Sequence, residues 1–223
     1  MTIPDTSRAR RAILERIRAA QGRSAEANAT ERATISGYIA RHPRGPAPQP
    51  YADLLERFRA KAAEMASSVA IVEGWSVVPP AVARYLTAHA LSPRAVMAAT
   101  LVPLDWDGAG MQTEARAPVD EDLVGISRAF CAVAETGTLV FLSDADSPPT
   151  INLLPETHIA VLPASRIVAT MEDAFDLIRS EKGELPRATN FISGPSRTGD
   201  IEQTIVLGAH GPRSVHIVVV RSA

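Results

Sequence analysis

Two stretches of this chain, HIAVLP (158–163) and VHIVVV (215–220), are apolar almost without interruption over the length of a strand. A strand with one wet face alternates apolar and polar residues. An unbroken run means that both faces are covered, which is the condition of a strand inside a parallel sheet flanked by other layers. SVAIV (68–72), RAVMA (94–98) and TLVFLS (138–143) are runs of the same kind. Helical spacing lies between them. Residues 79–90 open on proline, which suits a first helical turn, and residues 171–180 follow the 158–163 run. The pattern predicts an α/β fold with a mostly parallel, two-sided sheet. AVA (132–134) and FIS (191–193) read as short strands. Residues 105–118 read as irregular with one short strand, and 120–124 as the start of a turn or short helix.

The first fifty residues differ. Ala9, Ala12, Ile13, Ile17 and Ala20 share one face of a helix over 8–20, and 30–39 is polar and ambiguous. HPRGPAPQP (42–50) holds four prolines in nine residues and can neither continue a helix nor enter a central strand. The expected division is a helix and proline-rich linker over 1–49 and an α/β domain over 50–223, beginning with an amphipathic helix over 51–66.

At 223 residues, 46% hydrophobic and 22% charged, the chain can bury a sizeable core. A net charge of −2 argues against a dedicated nucleic-acid binder. With one cysteine, Cys131, the chain cannot form a disulfide framework or hold an iron–sulfur cluster or multi-cysteine zinc site of its own. No apolar run approaches the roughly 20 residues of a membrane span. Arg8, Arg10 and Arg11 precede no apolar segment, so the start does not read as a secretory signal, and cytoplasm is the expected compartment.

Two segments carry the chemistry. In AETG, Glu135 stands between apolar runs beside Thr136 and Gly137. A carboxylate there can serve as nucleophile, base or ligand clamp, or it can cap a tight turn. In SGPSRTGD, Ser193, Gly194, Ser196, Arg197, Thr198 and Asp200 combine hydroxyls, free amides and a guanidinium, as a phosphate or carboxylate cradle needs. Asp200 and Gln203 also fit the cap of a short helix. The other reading is a structural turn with Arg197 paired to Asp200 or Glu202. The segment matches neither a Walker loop nor a dinucleotide fingerprint. His210, in a Gly-rich turn, can face a crevice as a proton carrier or simply pack. His158 and His216 lie within apolar strands and read as structural. The three lack metal-site spacing, and no metal is expected. Cys131 reads as a small buried hydrophobe.

SGPSRTGDIEQTIVLGAHGPRSVHIVVV (193–220), AVAETGTLVFLS (132–143) and NLLPETHIAVLPASRIV (152–168) together resemble the lactate-utilisation protein C family, which shares the LUD domain. The resemblance covers about 50–223. It implies a Rossmann-like α/β sheet of the sugar-phosphate isomerase and coenzyme A transferase-like type. It also implies a part in oxidising L-lactate to pyruvate beside two iron–sulfur partner proteins, with this chain as the cluster-free, substrate-handling member. Glu135 and His210 are then the catalytic candidates. Thr136, Gly137, Ser193, Gly194, Ser196, Arg197, Thr198 and Asp200 are the candidates for binding a small anion. Glu135 is also similar in setting to the nucleophilic glutamate of coenzyme A transferases. A stand-alone transferase or ligase acting on coenzyme A or a nucleotide is therefore the alternative.

Overall fold

The computed structural model describes residues 6–24, 26–46, 50–198 and 206–222. Asp200, Ile201, Glu202 and Gln203, and with them the expected helix cap, lie outside the described residues. The chain divides into two compact units, 1–47 and 48–223. The first holds two helices, α1 (Ser7–Ala20) and α2 (Ala29–Arg41). The polar, ambiguous stretch over 30–39 is helical because a capping box starts it. The Glu31 amide donates to Asn28 Oδ1 at 2.9 Å and the Asn28 amide donates to Glu31 Oε2 at 3.0 Å.

In the second unit, α3 (Leu54–Glu64) leads into β1 (Ser68–Gly74), α4 (Val78–Ala88), β2 (Arg94–Met97), β3 (Gln112–Ala115) and β4 (Val124–Arg128). Next come β5 (Cys131–Val133), β6 (Thr138–Leu142), β7 (Thr157–Pro163), β8 (Ile167–Val168) and α5 (Met171–Lys182). The chain closes with β9 (Thr189–Ile192), β10 (Arg197–Thr198), β11 (Val206–Leu207) and β12 (Ser214–Ser222).

Six strands form one all-parallel sheet in the order β1-β12-β7-β4-β2-β3. Two of its inner strands, β7 and β12, are the two unbroken apolar runs, and the register explains why they must be. Ile159, Val161, Val218 and Val220 point into a core shared with Val82 and Leu86 of α4. Ala160, Leu162, Ile217 and Val219 point the other way, into a core shared with Phe58 and Ala62 of α3 and with Leu139 and Phe141 of β6. Each fully buried aliphatic or aromatic side chain stabilises the fold by about 1.5–3 kcal/mol.

The second core is closed by a smaller mixed sheet, β8-β5-β6-β9. Its outer face, with Cys131, Val133 and Val140, packs on Ala174 and Ile178 of α5. The layers are therefore α4, the parallel sheet, the small sheet with α3 beside it, and α5.

β4 is the one strand of the parallel sheet that the sequence pattern does not announce. Val124–Arg128 contains Gly125 and Ser127 and so lacks an apolar run. Both residues have local reasons. A Cβ at Gly125 would stand 2.5 Å from the Ile151 carbonyl oxygen, where the segment entering β7 crosses. The Ser127 hydroxyl is buried at 2.8 Å from His158 Nε2 on the neighbouring strand.

Candidate functional site

The two segments singled out in the sequence meet at one place, beside the last turn of α3. Gly137 makes the turn between β5 and β6, with φ +69° and its amide donating to the Val133 carbonyl at 3.0 Å. A Cβ there would lie 2.4 Å from the Ala62 nitrogen. Gly194, with φ +77°, leaves room for the Met65 carbonyl, which a Cβ would meet at 1.9 Å. Hydroxyls tie the two turns together: Thr136 to Thr138 at 2.7 Å, and Thr138 to Ser193 at 2.7 Å. Thr136, Gly137, Ser193 and Gly194 are thus brought together, and their geometry first of all seats α3.

Glu135 lies at this β5–β6 turn in the smaller sheet rather than at the end of a strand of the six-stranded parallel sheet. It is half-buried, and its amide donates to the Ala169 carbonyl at 3.1 Å. Among the described residues its carboxylate has no hydrogen-bond or ion-pair partner.

From Ser193 the chain turns toward the start of β12. The Ser196 amide donates to the Pro212 carbonyl at 2.8 Å, and the Gly208 amide donates to the Ser196 carbonyl at 2.9 Å. The Glu156 carbonyl accepts from the amides of Arg213 and Ser214, at 2.8 and 3.1 Å. These bonds fold the loops that precede β7 and β12 around a cleft of about 530 Å³, lined among others by Glu156, His210, Gly211 and Arg213. Arg197 is one rung away, paired with the lining residue Leu207 across β10 and β11. His210 therefore lines this cleft and Ser196 and Arg197 adjoin its lining residues Gly211 and Leu207, whereas Thr198, paired with Val206, and Glu135 do not line it.

Arg213 is an addition that the sequence pattern did not single out. Its position directly after Gly-Pro, in the same loop as His210, was the available signal. Among the described residues neither Arg197 nor Arg213 has an ion-pair partner, so both guanidinium groups are open to an anion.

The remaining titratable candidates are structural. Burial drives His158 down to about 3, and it shares its hydrogen bond with Ser127 while Nδ1 has no partner. His216 is held down to about 4, by burial first and by His89 second. Its Nδ1 lies 2.8 Å from the Ser68 hydroxyl, and its ring stacks on Tyr85 at 3.9 Å. Burial pushes the Cys131 thiol up to about 12, so it is an unreactive core group. Among the described residues no group of three or more His, Cys, Asp or Glu side chains is placed to hold a metal ion. No helix among them is long and apolar enough to cross a membrane.

A parallel sheet closed by a smaller mixed sheet, with a polar cleft built by the loops entering its central strands, defines a two-sheet α/β domain. Residues 55–220 match the LUD domain, and the chain belongs to that family. Its relatives include proteins named Lactate utilization protein C. The one from Bacillus subtilis is 38% identical over 119 residues, covering 52% of this chain and 49% of that protein. The one from Anoxybacillus flavithermus is 40% identical over 97 residues, covering 43% of each. The matched stretch thus spans less than half the length of these relatives. A solved DUF162 family protein from Deinococcus radiodurans shares the fold, with a TM-score of 0.59 at 23% identity over 78% of this chain and 99% of that one.

Proposed function

We propose that this chain is a cytoplasmic component of a lactate-utilising system, handling the small carboxylate while iron–sulfur partner proteins carry the electrons. The observation that carries the reading is one cleft lined by two separated segments, 153–156 and 207–213, with Ser196 hydrogen-bonded alongside and two unpaired guanidinium groups, Arg213 in the lining and Arg197 next to it. Lactate and pyruvate are carboxylates, and an arginine fork binds a carboxylate through two parallel hydrogen bonds. Arg213 and Arg197 hold the carboxylate. Gly208 and Gly211 keep the loop backbone close, and His210 accepts or returns a proton.

Oxidising lactate to pyruvate releases two protons and two electrons. The single, buried cysteine supplies no thiolate set for a cluster, so the electrons pass to partner proteins. The relatives' name supports the lactate part of this reading.

The test is growth on L-lactate as sole carbon source after deletion of the gene, with a plasmid copy restored. The wild-type copy rescues growth. The Arg197→Ala, Arg213→Ala double variant accumulates as folded protein and does not rescue. Full rescue by the double variant overturns the cleft assignment, and unimpaired growth of the deletion strain overturns the lactate reading itself.

A further inference from the structure

The order of the parallel sheet fixes a second place where a ligand belongs. From β2 the chain crosses outward to β3, whereas from β4 it passes through β5 and β6 of the smaller sheet and rejoins the parallel sheet on the other side, at β7 and later at β12. β2 and β4 are neighbours, so the connections leaving their C-terminal ends diverge and open a crevice between them. Such a switch point is where open α/β sheets take their ligands. A cavity of about 330 Å³ occupies this position, lined by Thr100 just beyond β2, by Arg128 at the end of β4, and by Ser147, Arg166 and Lys182. The Ala99 amide donates to the Asp146 carbonyl at 2.9 Å, which fixes the 144–147 segment over the crevice. The cavity lies beyond the last residues of β4 and β7. The motif-built cleft lies before the first residues of β7 and β12, at the opposite end of the strands.

The charges around this cavity are unevenly matched. Arg166 is fully engaged: its Nε donates to the Phe130 carbonyl at 2.8 Å, and its guanidinium forms a two-pronged pair with Glu181. Arg128 has no carboxylate or hydrogen-bond partner among the described residues and lies flat over Trp75, 4.8 Å from the ring centroid. Three cations (Arg128, Arg166, Lys182) face two carboxylates, Asp144 and Glu181. Arg128 stays exposed at the rim; partial desolvation there, and then the neighbouring Arg166, work against its charge, which an incoming anion would relieve. The hydroxyls of Thr100 and Ser147 have no partner among the described residues either.

We propose that this crevice is a second ligand site, distinct from the motif-built cleft, which takes a small oxyanion on Arg128, with Thr100 and Ser147 as hydroxyl contacts. The recognising chemistry is common to a carboxylate and a phosphate, and the two are separated by the probes. Trp75, under the Arg128 guanidinium, is the built-in reporter, since an anion bound there changes how the cation sits on the indole.

The experiment is a titration of the full chain, in the Arg197→Ala, Arg213→Ala background that disables the other cleft. Inorganic phosphate and L-lactate serve as separate probes, followed by tryptophan emission and by heat. Saturable binding of at least one probe is expected, with a Kd below about 10 mM. Arg128→Gln is expected to weaken it by about tenfold or more, and Thr100→Val more mildly. Binding of phosphate alone identifies the ligand class as phosphate esters, and binding of lactate alone identifies it as carboxylates. Binding unchanged in Arg128→Gln, or no saturable binding of either probe, overturns the proposal. Because the background variant already lacks the cleft arginines, failure here leaves the growth test above unaffected.

Discussion

His216 sits on the Tyr85 ring, which in turn is tilted against His89 at 4.1 Å. The stack keeps it out of water, and the proton it would take has nowhere favourable to go. In the folded chain it stays neutral down to about 4, against an ordinary value of 6.5. A base whose folded value is depressed loses stability on acidification. Its contribution is complete above about pH 6.5 and disappears as the pH falls toward 4. The loss amounts to about 3 kcal/mol by pH 4. His158, held at about 3, adds a loss of the same sign. Asp122 and Glu181 are kept low by Arg116 and Arg166 and give way only at more acid pH. The window from 6.5 to 4 therefore belongs mainly to the two histidines. His216→Phe keeps a ring on Tyr85 and removes the proton. Urea unfolding at pH 7, 5.5 and 4 is expected to show a steep loss for the wild type and roughly half that loss for His216→Phe. Parallel losses in the two proteins would remove His216 from the account. Both histidines read as structural from their apolar strand context. The sequence pattern could not supply the neighbours that hold them neutral, Ser68 and Tyr85 for one and Ser127 for the other.

Among the elements, the runs with one dominant environment were readable and the mixed ones were not. β7 and β12 announce themselves because both faces are buried. β4 does not, although it lies at the centre of the sheet. Its polar residues answer to partners distant in sequence: Gly125 to the Ile151 carbonyl, and Ser127 to His158. Three strands of the small sheet, β5, β6 and β9, were legible as strands, β8 was not, and their pairing was not, because period-2 patterning carries no information about pairing. The same limit applies to the sites. The hydroxyl- and glycine-rich segments stood out, yet part of their role is to seat α3 rather than to meet a ligand. Gly194 allows a quantitative check. Its positive φ and the approach of the Met65 carbonyl leave no room for a methyl group. Gly194→Ala is expected to cost about 3 kcal/mol in chemical unfolding, or to prevent accumulation of folded protein. Gly183→Ala, also at positive φ but with open space around it, is expected to cost only about 1 kcal/mol. Equal costs at the two positions would mean that backbone strain alone, and not the α3 contact, fixes Gly194.

At the scale of the whole chain, the two candidate sites differ in how they are assembled. The motif-built cleft draws on two contiguous stretches, 153–156 and 207–213, with a third alongside, so most of its residues were recognisable before their positions were known. The crevice at the switch point draws single residues from β4, from the turns after β2, β6 and β7, and from the end of α5. No local pattern marks it, and only the order of the strands reveals it. The division of the chain at 47/48 likewise shows in composition, through the proline-rich stretch over 42–50. Every residue of the three buried cores comes from the second unit: Phe58 is the first in sequence and Val220 the last. Stability that rests on those cores should not depend on residues 1–47. A chain shortened to 48–223 is expected to unfold in one cooperative urea transition, with a free energy within about 1 kcal/mol of the full chain. Its slope should be reduced only slightly, since the slope follows the surface exposed on unfolding. Aggregation of the shortened chain, or a broad non-cooperative transition, would show that 1–47 contributes to the core fold.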